Sequence, residues 1–207
     1  MKLQIKYNFS DFSHALTIAE QTAHCADILE VGSLLIFQEG VKAISIFKNK
    51  FPDKEIYADA KIAEKGEHAV TIFAQAGAKY ISVLAGAPYS IIKKAATTAA
   101  EYNARIVLDF VNATSIGQAA IDAKTLGASA LFLHRRSPAS TNLADLENDW
   151  QQIRDNCNLP IFIEGKINQE ILKQLVTLKP EVVVVGSAIT EASNPAQEAK
   201  NFKTLLE

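Results

Sequence analysis

Asp59 and Lys61 lie two residues apart in Ala58-Asp59-Ala60-Lys61, at the end of the short extended run Glu55-Ile56-Tyr57. Side chains alternate faces along a strand, so the two point the same way. A carboxylate and an ammonium on one face of a strand end can bind a metal or stabilise a developing oxyanion. The competing reading is a surface ion pair on an edge strand. What favours the first is the rest of the chain, which keeps ending strand-like runs in polar residues.

Those runs fall at 3–8, 27–31, 55–60, 80–84, 105–111, 130–134, 160–164 and 181–186. Helix-like stretches lie between them, among them 38–50, 65–76, 89–102, 115–126, 144–156 and 169–178. Their apolar residues follow helical spacing, as at Val41, Ile44, Ile46 and Phe47, or at Ile171, Leu172 and Leu175. Several end at a residue that accepts a left-handed C-cap: Gly77, Asn103 and Gly127. Strands alternating with helices pair in parallel through right-handed crossovers. Eight units in 207 residues give a repeat of about 26, near the minimum for a closed eight-stranded barrel. Val182-Val183-Val184-Val185 suits a strand covered on both faces. An open doubly wound sheet is the alternative, but no Gly-x-Gly-x-x-Gly follows the first strand. With no linker or composition shift, the expectation is one α/β domain over residues 1–207, a (β/α)8 TIM barrel.

In such a barrel the site forms where strand C-termini meet the following loops. That level collects Asn8, Glu30, Asp59, Lys61, Asp109, His134, Glu164, Gly165, Gly186 and Ser187. Glu30 and Asp59 are hard oxygen donors suited to Mg²⁺; alternatively, Glu30 is an interior carboxylate neutralised by Lys61. Lys61 beside a metal could stabilise an enediolate. His134 closes the apolar run Ala130-Leu131-Phe132-Leu133 and could shuttle a proton near neutral pH. His14, His24 and His68 fall in helix-like or connecting segments and read as surface residues. Near the end of the chain, the turn at Gly186 and Ser187, with Gly165-Lys166 one strand earlier, has the form of a backbone phosphate cradle.

Composition narrows the partners. Apolar residues make up 48% and charged residues 21%, ordinary for a globular chain, and the formal charge of −2 gives no pull toward nucleic acid or an anionic membrane. Cys25 and Cys157 have no metal spacing and suggest a reducing compartment. No signal peptide or membrane-spanning run is evident, so a cytoplasmic location is expected.

Glu30-Val31-Gly32-Ser33-Leu34, Glu39-Gly40-Val41, Ala58-Asp59-Ala60-Lys61-Ile62, Leu133-His134 and Val185-Gly186-Ser187-Ala188-Ile189-Thr190 occur in order along nearly the whole chain. In this the chain resembles the 3-hexulose-6-phosphate synthase and 3-keto-L-gulonate-6-phosphate decarboxylase group of the orotidine-5′-phosphate decarboxylase suprafamily. The resemblance implies a homodimeric eight-stranded barrel acting on a phosphorylated sugar. It also implies Mg²⁺ on Glu30 and Asp59, enediolate stabilisation by Lys61 and proton transfer by His134. Asp109 and Ser137 lean toward the synthase, since the decarboxylase branch typically has glutamate and arginine at those places. Four features depart from the group's pattern. Asn8 replaces an aspartate, and Glu64 replaces the aspartate that reaches the partner subunit's site. Lys166 replaces a glycine, and the loop from Arg135 to Pro138 lacks its usual glycine and aspartate. The expected activity is aldol joining of formaldehyde to ribulose 5-phosphate, or its reverse. Decarboxylation of a 3-keto sugar acid phosphate is the runner-up, and a barrel that binds a sugar phosphate without turnover is the third reading.

Overall fold

The computed structural model describes residues 1–111, 113–134 and 143–207. The eight strands are β1 (Lys2–Tyr7), β2 (Ile28–Val31), β3 (Glu55–Ile62), β4 (Tyr80–Leu84), β5 (Arg105–Asp109), β6 (Ala130–His134), β7 (Ile161–Glu164) and β8 (Val182–Val185). They form one closed parallel barrel in sequence order, sealed where β1 pairs with β8 from Lys2 opposite Val182 to Ile5 opposite Val185. The helices around it are α1 (Phe12–Thr22), α2 (Ser33–Glu39), α3 (Lys42–Lys50), α4 (Gly66–Gln75), α5 (Tyr89–Glu101), α6 (Ile116–Thr125), α7 (Ala144–Arg154), α8 (Gln169–Leu175), α9 (Ser187–Thr190) and α10 (Pro195–Leu206). The expected (β/α)8 barrel is therefore the fold.

Alternation along each strand sorts side chains into two cores. Leu3, Ile5 and Tyr7 of β1, with Leu29 and Val31 of β2, face outward and pack under the helices. The opposite parity points into the barrel, where Ile28, Tyr57, Val107, Phe132, Phe162 and Val184 belong to a separate buried cluster. Its aromatics are in mutual contact, with ring centroids of Tyr57 and Phe132 5.6 Å apart and of Tyr57 and Phe162 6.0 Å apart. This plug fills the middle of the barrel. Above it, toward the C-terminal ends of the strands, lie the polar residues Lys6, Glu30, Asp59, Asp109, His134 and Glu164.

Local chemistry sets the element boundaries. Asp11, Ser115, Asn168 and Asn194 cap α1, α6, α8 and α10 by accepting backbone N–H groups, and Pro195 opens the last helix. Gly77, Asn103 and Gly127 adopt positive φ after their helices, as the sequence predicts. The single helix expected over 38–50 is instead two, because Gly40 at φ 63° breaks it between α2 and α3. The fifth strand stops at Asp109 rather than 111, since the Asp109 carboxylate accepts the Val111 N–H at 2.8 Å and turns the chain. Cys25 and Cys157 are buried free thiols, and His14, His24 and His68 are exposed. Among the described residues no helix is long and apolar enough to cross a membrane.

Candidate active site

Three strands bring the first charges together. Lys6 of β1 and Glu30 of β2 are register partners, so their inward side chains are forced into contact, with Nζ 3.1 Å from Glu30 Oε1. The same ammonium lies 3.4 Å from Asp59 Oδ2 and 2.9 Å from Glu164 Oε1. Lys61 pairs with Asp59 and stands 3.4 Å from Asp109. His134 places Nε2 2.8 Å from Asp109 Oδ1 and Nδ1 3.3 Å from Glu164 Oε2. A closed circuit of alternating charge results, running Lys6, Asp59, Lys61, Asp109, His134, Glu164 and back to Lys6.

Lys61 reaches Asp59 by a less regular route than strand alternation. Its φ is 45°, in the left-handed region that disfavours side chains, and pairing of β3 with β4 slips between Ala58 and Ile62. Ser82 of β4 holds the distorted turn, accepting the Lys61 N–H at 2.8 Å and approaching Asp59 Oδ1 at 3.5 Å.

The electrostatics follow from how few cations serve the carboxylates. Glu30 is fully buried, and burial lifts its carboxyl to about 7; Lys6 offsets only part of this, because Asp59 and Glu164 share the same ammonium. Burial works against the charge on Lys6, but its three carboxylate neighbours outweigh that and hold it firmly protonated. His134 would likewise be lowered by burial, yet Asp109 and Glu164 raise it to about 9, an imidazolium at neutral pH. Glu164 goes the other way: its burial is overcome by the His134 hydrogen bond and by Lys6, leaving it at about 2. Asp109 is held below the usual carboxylate range despite burial, by the hydrogen bond and charge of His134 and by Lys61.

A cleft of about 220 Å³ opens beside this circuit, lined by Lys6, Asn8, Glu164, Gly186, Ser187 and Thr190. The predicted phosphate residues Gly186 and Ser187 thus share a wall with the charged cluster. Gly165 follows β7 directly, but the Lys166 side chain is exposed, at φ 47°. Asn8 spends its Oδ1 on the Leu34 N–H at 2.9 Å, bracing the start of α2. A Cβ on Gly32 would come within 2.5 Å of that same oxygen, so the Glu-Val-Gly glycine is needed for the bracing contact. Glu64 is exposed in the loop after β3, away from these contacts, and has no hydrogen bond or ion pair among the described residues. Ser137 and the 135–138 loop lie outside the described residues.

Glu30 and Asp59, the residues expected to hold magnesium, already have partners. Glu30 Oε2 accepts a hydrogen bond from the Gln4 amide, and Asp59 Oδ1 accepts one from the Lys61 ammonium. The two remaining oxygens, Glu30 Oε1 and Asp59 Oδ2, are buried, accept no hydrogen bond and face the Lys6 ammonium. A divalent ion about 4 Å from that ammonium would be repelled by roughly 8 kcal/mol at an effective dielectric of about 20. With Lys6 in place the donor set does not fit Mg²⁺. The alternative neutralisation of Glu30 by Lys61 is also corrected, since Lys6 does this. Lys6, Gln4 and the role of Glu164 escape motif reading. Their signal is parity, polar residues at every second position of a strand covered on both sides.

An eight-stranded parallel barrel with an acid–base circuit at its C-terminal mouth is the architecture of a barrel enzyme site. The family model of the orotidine 5′-phosphate decarboxylase / HUMPS family matches residues 1–202, and the chain belongs to that family. It is 29% identical to a 3-hexulose-6-phosphate synthase of Mycobacterium gastri, covering 100% of both chains. It is 26% identical to the enzyme of that name from Bacillus subtilis, covering 100% of this chain and 99% of the other. The crystal structure of 3-hexulose-6-phosphate synthase from Salmonella typhimurium superposes with a TM-score of 0.92 at 30% identity, covering 100% of this chain and 98% of that one.

Proposed function

We propose that the chain is an aldehyde-lyase of the 3-hexulose-6-phosphate synthase kind, joining formaldehyde to ribulose 5-phosphate or catalysing the reverse. In the joining direction a proton leaves C1 of the ketose, and the resulting enediolate attacks the formaldehyde carbon. The formaldehyde oxygen then takes up a proton, so the reaction is redox-neutral. Lys61, against Asp59 and Asp109, provides fixed positive charge for the enediolate oxygen. His134 is the proton carrier: its unprotonated fraction, a base strengthened by its two carboxylates, takes the C1 proton, and the imidazolium so formed gives it to the formaldehyde oxygen. Asp109 positions both and is a positioning residue. The sugar phosphate would lie in the cleft, with backbone N–H groups near Gly165 and Gly186 and the Ser187 hydroxyl as donors. Glu64 would complete the site of a second subunit in a homodimer.

The observation that carries this reading is that Lys61 and His134 converge on one carboxylate, Asp109, at the barrel mouth. The test is incubation of ribulose 5-phosphate with formaldehyde, and separately of the keto acid phosphate, each with Mg²⁺ and with chelator. Formaldehyde consumption matched by hexulose phosphate formation supports the proposal. Release of CO₂ from the keto acid phosphate alone would replace it with the decarboxylase. Binding of either compound without turnover would leave a sugar-phosphate-binding barrel.

A further inference from the structure

We propose that Lys6 is the built-in cation of this site, its ammonium taking between Glu30 and Asp59 the position of a divalent metal, so that the chain handles its sugar phosphate without one. The inference rests on the function proposed above for the identity of the substrate. The exclusion of metal rests on geometry alone.

Three observations support it. First, the two oxygens free to coordinate, Glu30 Oε1 and Asp59 Oδ2, converge on one point, and Nζ occupies it at 3.1 and 3.4 Å. Second, Lys6 is held by a third carboxylate, Glu164, at 2.9 Å to Oε1 and 3.2 Å to Oε2. Swinging the side chain out would strip a fully buried carboxylate and a nearly buried one of their shared counter-ion, a costly state. Third, Lys6 also lines the cleft with Gly186 and Ser187, so this member of the charge circuit is on the wall that the expected phosphate would meet. From there it can face an oxyanion on the substrate while remaining anchored.

Lys6 does not fit the other familiar role of a barrel lysine, imine formation with a keto sugar. That chemistry begins with a neutral amine, and three carboxylates keep this one protonated. It is a fixed charge and not a nucleophile.

The test has two independent arms on the full-length chain. In the first, Mn²⁺ is titrated and followed by electron paramagnetic resonance. The parent should show no stoichiometric site, and Lys6→Met, which keeps an unbranched stem as far as Cε but removes the ammonium, should take up one Mn²⁺ per chain. Adding Glu30→Gln to that variant should abolish the uptake. In the second, ribulose 5-phosphate binding is measured by calorimetry in chelator and in Mg²⁺. The parent should agree within about twofold between the two, whereas Lys6→Met should bind at least about tenfold more weakly in chelator and recover with Mg²⁺. One tightly held Mn²⁺ per parent chain, or loss of parent binding in chelator, overturns the inference, and neither reading needs the variant to fold. Failure of formaldehyde addition with the Mn²⁺ results intact would sink the proposed function and leave the built-in cation standing. A Lys6→Met chain that folds but takes up no Mn²⁺ would also overturn it.

Discussion

Lys6 Nζ and Glu164 Oε1 stand 2.9 Å apart although 158 residues separate them in sequence. The contact links the strand that opens the barrel to the seventh strand, across β8. It also ties Lys6 to the imidazole, because Glu164 holds His134 through its other oxygen. One carboxylate therefore contributes both to the position of a fixed cation and to the proton affinity of the acid–base residue.

Removing that carboxylate's charge should be visible at His134. With both Asp109 and Glu164 present the imidazole sits at about 9. Glu164→Gln keeps a hydrogen-bond acceptor but removes one negative neighbour, and the pKa should fall by roughly 1. NMR titration of the imidazole C–H resonances reads this directly. An unchanged value would mean that Asp109 alone sets it.

The same pair gives stability a defined pH window. His134 rises on folding from 6.5 to about 9, so its contribution is complete below 6.5 and is lost as pH climbs through 9. Glu164 falls from 4.5 to about 2, so its contribution is complete above 4.5 and is lost as pH drops through 2. Both are fully present between about pH 4.5 and 6.5. Urea unfolding across pH should show stability declining above pH 7, and His134→Gln should flatten that alkaline limb. A limb equally steep in the variant would assign it to other groups.

Glu30 should behave in the opposite sense. Its carboxyl is raised on burial, from 4.5 to about 7, so it costs stability wherever the unfolded chain ionises it. Below pH 4.5 that cost vanishes, and above pH 7 it is constant at roughly 3 kcal/mol. Glu30→Gln should therefore stabilise the fold at pH 8 by up to about this much, with little effect at pH 4. The new amide would also offer a donor near Gln4 Oε1, which is buried without a hydrogen bond. Activity should collapse in the same variant, because Lys6 loses a partner that positions it. Equal thermal midpoints at pH 8 would count against the argument.

The barrel and most of its mouth are legible in the sequence because strand parity and helix spacing are local signals. Val182 to Val185, the capping Asn168 and the turn glycines each announce an element without help from the rest of the chain. His134, Glu30 and Asp59 are found the same way, as polar residues ending apolar runs. Lys6 is not, since a lysine on a first strand looks like an edge residue until β8 closes against β1 and buries it. The division at Gly40 and the bracing of Leu34 by Asn8 are equally hidden. Both depend on how closely segments approach, which spacing does not encode.

Lys166 separates folding from binding. Its φ of 47° is a conformation that glycine adopts freely, so Lys166→Gly should stabilise the fold by about 1 kcal/mol. Its ammonium is exposed beside Gly165, and under the proposed function it would meet the substrate phosphate. The same variant should therefore bind ribulose 5-phosphate more weakly, by roughly 1.5–3 kcal/mol, and leave the unphosphorylated sugar nearly unaffected. Urea melts and calorimetry on one preparation measure both. Equal phosphate affinity would put the side chain in solvent.

The homodimer is testable through Glu64, which has no partner within its own chain among the described residues. α2 presents Leu34 and Phe37 at 45% and 81% exposure, and it packs beside β3, the strand that leads to Glu64. An apolar face of this kind is suited to a two-fold contact between copies, which would carry Glu64 toward a neighbour's Lys61. Phe37→Asp should shift the chain to monomer in sedimentation and abolish turnover together. A second experiment asks whether the site is shared. Glu64→Gln and Lys61→Ala should each be inactive alone, yet unfolding and refolding them as an equimolar mixture should restore about a quarter of parental activity. Half of the dimers would be mixed, and each would hold one site with an intact Lys61 and an intact Glu64. A mixture that stays inert, with mixed dimers demonstrated by mass spectrometry, would place Glu64 outside the partner's site.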